Sequence, residues 1–81
     1  MLSMEHELKI LPEYFNEVRK GSKTFEIRKN NRDYKVGDSL KLLEFDGDKY
    51  TGEEVSRTIT YILKDCEQYG LKDGFVILAM E

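Results

Sequence analysis

Apolar and polar residues alternate along several short stretches of the chain, with the period of two that is typical of β-strands. The pattern predicts five strands, over residues 6–10, 23–29, 39–45, 55–63 and 75–80. The last of these is apolar throughout, so we expect a central strand that is covered on both faces.

A helix of about nine residues is predicted between the first two strands. Pro12 suits a first helical turn, and Phe15 and Val18 continue an apolar stripe that Leu11 begins. Gly21 can supply the left-handed residue that closes a helix. The order of one strand, one helix and four further strands favours an α+β, mainly β fold, in which a largely antiparallel sheet curls into a small barrel.

The second predicted strand has two chemically different faces. Phe25 and Ile27 share one face, and Glu26 and Arg28 share the other. We expect Phe25 and Ile27 to fill the interior, which would turn Glu26 and Arg28 towards a cleft or towards solvent.

Length and composition limit the possible functions. The 81 residues suffice for one domain, and a 40% hydrophobic content suffices for a small core. The single cysteine, Cys66, excludes an internal disulfide, and no apolar run approaches the ~20 residues that cross a bilayer. We therefore expect a cytoplasmic protein with no membrane partner. Cys66 and His6 alone cannot build a zinc site, and the aspartates do not match a calcium loop, so we expect no metal and no cofactor.

Charge is unevenly distributed along the chain. Residues 19–35 carry a net charge of +5, whereas the whole chain carries −3 and the remaining residues therefore −8. This asymmetry suggests an anionic partner for one surface, although solvated charges on a hairpin would give the same pattern. The overall acidity favours a small, selective site over a broad basic surface.

The segment from Gly21 to Arg28 has the form G-x-K-x-x-E-x-R and follows the predicted helix directly. It resembles the signature of the ASCH superfamily, whose members share a PUA-like pseudobarrel. Further matching runs are HELKI at 6–10, EIRKNNRD at 26–33, VGD at 36–38 and YTG at 50–52, followed by the apolar last strand. Together these runs resemble a family of short bacterial and phage ASCH-like domains. The resemblance implies a single PUA-like domain over residues 1–81, with one short helix after the first strand, and RNA binding as its role.

The motif residues suggest how an RNA or a nucleotide could be held. We expect the Lys23 ammonium and the Arg28 guanidinium to form a pocket for an anion at the glycine bend, with Glu26 orienting the guanidinium. An ion pair of Glu26 with either cation, serving only the surface, is the structural alternative.

Several other residues complete the predicted site. Lys29 and Arg32 extend the positive surface, and Tyr34 could stack on an unpaired base. His6 is either a packed residue or, if the first strand lies beside the motif strand, a member of the same cleft. The candidate ligand-binding residues are therefore His6, Lys23, Glu26, Arg28, Lys29, Arg32 and Tyr34.

Two other functions stay open at this point. Some small ASCH proteins are amidohydrolases acting on acylated cytidine, and Lys23, Thr24 and Glu26 would be the corresponding catalytic group here. Glu26, however, occupies the position where that resemblance requires the nucleophilic threonine, so we do not expect an enzyme. The second possibility is a protein-interaction module whose acidic remainder contacts a partner.

Overall fold

The computed structural model describes residues 3–81 as five strands and one α-helix in the predicted order. The elements are β1 (Glu5–Ile10), α1 (Pro12–Lys20), β2 (Phe25–Lys29), β3 (Ser39–Phe45), β4 (Tyr50–Leu63), a 3-10 turn (Glu67–Tyr69) and β5 (Phe75–Met80). β4 begins five residues earlier than the alternation predicts, because Tyr50 pairs with Phe45 beyond an irregularity in the β3–β4 ladder.

The strands form one curled sheet in the order β1-β3-β4-β5-β2. β1 and β3 are parallel, and the other three pairs are antiparallel. The 14-residue β4 pairs with β3 along its first half and with β5 along its second half. The register of the β4–β5 ladder shifts between Ile59 and Tyr61. This arrangement is the expected α+β small β-pseudobarrel, in which β1 and β2 form the two edges.

The helix α1 begins and ends where the sequence predicts. Pro12 occupies its first turn, and Gly21 closes it at φ 87°, donating its N–H to the carbonyl of Val18. Phe15 and Val18 are buried in the core. Leu11 is instead 45% exposed, so the apolar stripe is shorter than expected.

The two faces of β2 are the reverse of the expectation. Glu26 is only 5% exposed, whereas Phe25 and Ile27 are 44% and 53% exposed. The register explains the reversal, since Glu26 and Arg28 pair with Leu78 and Val76 of β5, whose side chains point into the core. The polar face of β2 therefore lies inside the barrel wall, and its apolar face lies outside.

The outside of β5 is also less covered than the sequence predicts. Val76, Leu78 and Met80 are buried, but the alternating residues of β5 are only partly buried. The two neighbours of β5 in the sheet, β2 and β4, also carry exposed side chains on this face, and Tyr61 of β4 is 60% exposed. This strand is therefore packed on one face and partly open on the other. No helix among residues 3–81 is long and apolar enough to span a bilayer.

Candidate nucleic-acid interface

Arg28 of β2 and Arg32 of the loop after β2 both reach the open edge of β1. We call this contact region between β1 and the end of β2 the seam. Arg28 Nη2 donates to the carbonyl of Lys9 at 2.7 Å, and Arg32 Nη1 donates to the carbonyl of Glu7 at 3.0 Å. Alternate residues of β1 direct their backbone groups to β3, so the carbonyls of Glu7 and Lys9 are left on the open edge. The two arginines satisfy these carbonyls and protect the edge from pairing with another chain.

The carboxylate of Glu26 lies between the two basic residues of the motif. Lys23 Nζ is 3.1 Å from Glu26 Oε1, and Arg28 Nε is 3.4 Å from Glu26 Oε2. The prediction of a single pocket formed by Lys23 and Arg28 is therefore wrong, because the Glu26 carboxylate lies between the two cations and partly neutralises them. Both ion pairs that formed the structural alternative are present, and each cation faces a different hollow.

Four basic residues line two adjoining hollows at the seam. A hollow of about 310 Å³ is lined by Glu7, Leu8, Lys9, Arg28, Arg32, Leu43 and Tyr50. An adjoining hollow of about 230 Å³ is lined by Leu8, Arg28, Lys29, Asn31, Arg32 and Tyr34. We call Lys9, Arg28, Lys29 and Arg32 the seam cations. Glu7 is the one acidic residue that lines either hollow, so the local charge is positive in a chain of net charge −3.

Sequence reasoning missed Lys9 and Tyr50 at this site. The ammonium of Lys9 lies 4.5 Å from the ring centre of Phe45, and that ring contacts Tyr50 edge-on with centroids 5.2 Å apart. Tyr50 is 51% exposed and so offers ring surface at the rim of the larger hollow. Only the strand order brings these residues to the seam, since Lys9 belongs to β1 and Tyr50 to β4.

His6 does not reach the seam. Its ring is buried, and Nε2 lies 2.8 Å from Oδ2 of the buried Asp38. The carboxylate of Asp38 also accepts hydrogen bonds from the backbone N–H groups of Met4 and Lys35. Burial acts to raise the pKa of Asp38, but these bonds and the His6 ring together hold the pKa below its ordinary value. His6 is therefore a packed residue that ties β1 to the loop before β3.

Tyr34 likewise lies in the core instead of on the surface. It is 7% exposed and meets the His6 ring edge-on, with the centroids 4.7 Å apart. Burial raises the pKa of its hydroxyl, and the nearby Arg32 and Arg28 oppose that rise. Tyr34 contributes to the wall of the smaller hollow, but its packed ring does not offer a free face for an incoming base.

A third hollow lies at the open edge of β2, beside the end of α1. It has a volume of about 340 Å³ and is lined by Tyr14, Lys23, Phe25, Glu26 and Ile27, and we call it the edge pocket. Lys23 and Glu26, two members of the alternative catalytic group, meet here, while Thr24 is exposed. Among residues 3–81, no group of three or more His, Cys, Asp and Glu side chains is placed to hold a metal ion.

The fold is a small β-pseudobarrel with one helix, in which arginine side chains from β2 and the loop after it bind the open edge of β1. The chain belongs to the family described as Domain of unknown function (DUF3850), whose model matches residues 5–80. It is 40% identical over 60 residues to an uncharacterized 12.9 kDa protein in the GpA 3' region of Escherichia phage P2. That match covers 74% of this chain and 55% of the phage protein, so the chain spans about half the length of this relative.

Proposed function

We propose that this domain binds RNA or a nucleotide, with phosphate groups held along the seam. The observation that supports this proposal is the concentration of the four seam cations around two adjoining hollows in an otherwise acidic chain. Positive charge confined to a cleft attracts a polyanion to one place instead of to the whole surface. The resemblance of Gly21–Arg28 to the ASCH motif supports the same role. We propose that the domain acts in the cytoplasm.

The structural work of the arginines leaves donors for a ligand. Arg28 uses Nη2 and Nε on protein atoms, and Arg32 uses Nη1. Among the described residues, no partner takes up Arg28 Nη1 or Arg32 Nη2. A phosphate at the seam would receive hydrogen bonds from these nitrogens, which the carbonyl contacts already hold in place. Tyr50 could then stack on a base that follows the phosphate.

The test is a salt series of RNA binding, measured by fluorescence anisotropy of a labelled single-stranded oligonucleotide. We expect binding at low salt that weakens steeply as salt is raised, because phosphate contacts release counterions. Lys29→Ala should weaken binding and lower the slope of log affinity against log salt by about 0.7, because the variant neutralises one phosphate fewer.

Lys64→Ala is the matched control, since Lys64 is also an exposed lysine but lines neither hollow. Both variants change the net charge equally, so only a local contact can separate them. Absence of binding at low salt, or equal losses in the two variants, would contradict the proposal.

A further inference from the structure

Three neighbouring strands of the sheet, β2, β5 and β4, share an apolar surface on the side away from the core. The residues of this surface alternate along each strand with residues that point inwards, and the register places them in cross-strand rows. We call this surface the outer face, and its members are Phe25, Ala79 and Tyr61 in one row, Ile27, Ile77 and Leu63 in the next, and Phe75. All seven are aliphatic or aromatic, so the outer face itself carries no charge.

The outer face is exposed although it is apolar. The exposed fractions of its four outermost side chains are 60% for Tyr61, 53% for Ile27, 44% for Phe25 and 38% for Leu63. The solvated face of an antiparallel sheet usually carries polar residues, whereas β2 keeps its buried acid, Glu26, on the opposite side. A contiguous apolar surface of this kind is typical of a protein–protein contact.

The size of the outer face matches one half of a small interface. The four outermost side chains have about 150–250 Å² of surface each, so their exposed fractions amount to about 400 Å². The partly buried Phe75 and Ile77 raise the exposed area to about 500 Å². Two such faces in contact bury about 1,000 Å², which is the lower limit for a specific interface. A second copy of the chain supplies a face of equal size, and two sheets pack face to face about 10 Å apart.

The charges at the two ends of the outer face favour a second copy in one orientation. Lys29 pairs with Phe75 at one end. At the other end the backbone of Glu81 still pairs with that of Thr58, so Glu81 continues the outward side of β5 after Ala79. If the strands of two copies run antiparallel across the interface, the positive end of each copy meets the negative end of the other. The parallel arrangement brings like charges to the same end.

We propose that two copies of the chain form a dimer through their outer faces, with their strands antiparallel across the interface. The row of Phe25 and Tyr61 in one copy packs on the row of Ile27 and Leu63 in the other, and this contact excludes water from both. Because the area is small, we expect a weak dimer with a Kd on the order of tens of micromolar. This inference does not depend on RNA binding at the seam.

The first experiment measures the oligomeric state of the whole chain without nucleic acid. Sedimentation equilibrium from about 5 μM to about 1 mM should show the mean mass rising from that of one chain towards that of two, as the expected Kd requires. In an NMR dilution series, the amide shifts that change with concentration should lie over residues 25–29, 61–63 and 75–81. A monomer at every concentration would overturn the inference and leave the outer face to a different partner. Changes confined to other residues would also overturn it.

Substitutions on the outer face locate the contact. Tyr61→Glu should raise the dimer Kd at least about tenfold, because it places a charge at an apolar contact. Its amide spectrum shows whether the variant is folded, and Ile27→Lys is the deciding variant if it is not. Tyr69→Glu is the matched control, since Tyr69 is 85% exposed and lies outside the outer face. Equal effects of the outer-face variant and the Tyr69 variant would overturn the inference.

A charge exchange tests the orientation of the two copies. Lys29→Glu and Glu81→Lys should each raise the dimer Kd about threefold, as expected for exposed ion pairs at the rim. The double variant should return the Kd to within about twofold of the original value, because the two charges have only changed places. A double variant that dimerises no better than either single variant would overturn the antiparallel arrangement.

Discussion

Arg28→Ala should destabilise the fold much more than Arg32→Ala, although both arginines donate to a carbonyl of β1. The Arg28 variant lacks a charged hydrogen bond of 2.7 Å, worth about 1–2 kcal/mol at a side chain that is 24% exposed. It also lacks one of the two cations that neutralise the buried Glu26. Removing the only partner of a buried charge costs about 3–5 kcal/mol, and since Lys23 remains 3.1 Å away, we expect about 1–2 kcal/mol. The total is about 2–4 kcal/mol.

Arg32→Ala removes one hydrogen bond of 3.0 Å from an exposed side chain and leaves no buried charge, so we expect about 0.5–1 kcal/mol. The assay is urea unfolding followed by circular dichroism, in which equal slopes for the two variants allow their midpoints to be compared. Adding Glu26→Leu to Arg28→Ala should recover part of the stability, because it removes the buried carboxylate that Arg28 no longer neutralises. Equal costs for the two arginine variants, or a cost below about 1 kcal/mol for Arg28→Ala, would refute the view that Arg28 supports both the seam and Glu26.

Three further predictions concern the scaffold. The folded-state pKa of Asp38 lies below its ordinary value of 3.8, so its contribution to stability is present above that pH and is lost as pH falls through the folded-state value. Urea unfolding between pH 7 and pH 2 should therefore show Asp38→Asn less stable by about 2 kcal/mol at pH 7 and less sensitive to acid below pH 4, and an unchanged acid slope would contradict the prediction. Gly21→Ala should cost about 1 kcal/mol by thermal unfolding, because Gly21 has φ 87° and no atom within 4 Å of an added Cβ, so only backbone strain acts; a neutral result would show that the helix end adjusts. Leu78→Ala should cost about 2–5 kcal/mol and Ile27→Ala less than about 1 kcal/mol in urea, and the opposite order would restore the expected orientation of β2.

Local signals in the sequence were sufficient to predict the elements. Pro12 and Gly21 mark the two ends of α1, and the hydrophobic pattern marks each strand to within five residues at either end. Alternation fixes which side chains share a face, but it does not fix which face is buried. For β2, hydrophobicity favoured Phe25 and Ile27 as the interior pair. The structure buries Glu26 instead, and two cations that contact its carboxylate make that burial possible.

The site was predicted less completely because it depends on strand order. Arg28, Lys29 and Arg32 lie close together in the sequence, so their common position on one surface could be foreseen. Lys9 and Tyr50 join them only because the order β1-β3-β4-β5-β2 curls the two edge strands towards each other. The buried pair of His6 and Asp38 gave no signal, since 32 residues separate them and an aspartate before a strand is usual in turns.

The strand order has a consequence for synthesis of the chain from its N-terminus. β1 pairs with β3, and the hydrogen bond from Met4 to Asp38 joins residues 34 positions apart. β2 pairs with β5, the last of these five strands to leave the ribosome. β1 and β2 are therefore synthesised before the strands with which they pair, and pairings between distant residues form slowly. We expect the β3–β4 hairpin to form first on the ribosome, and the barrel to be completed only after β5 has emerged.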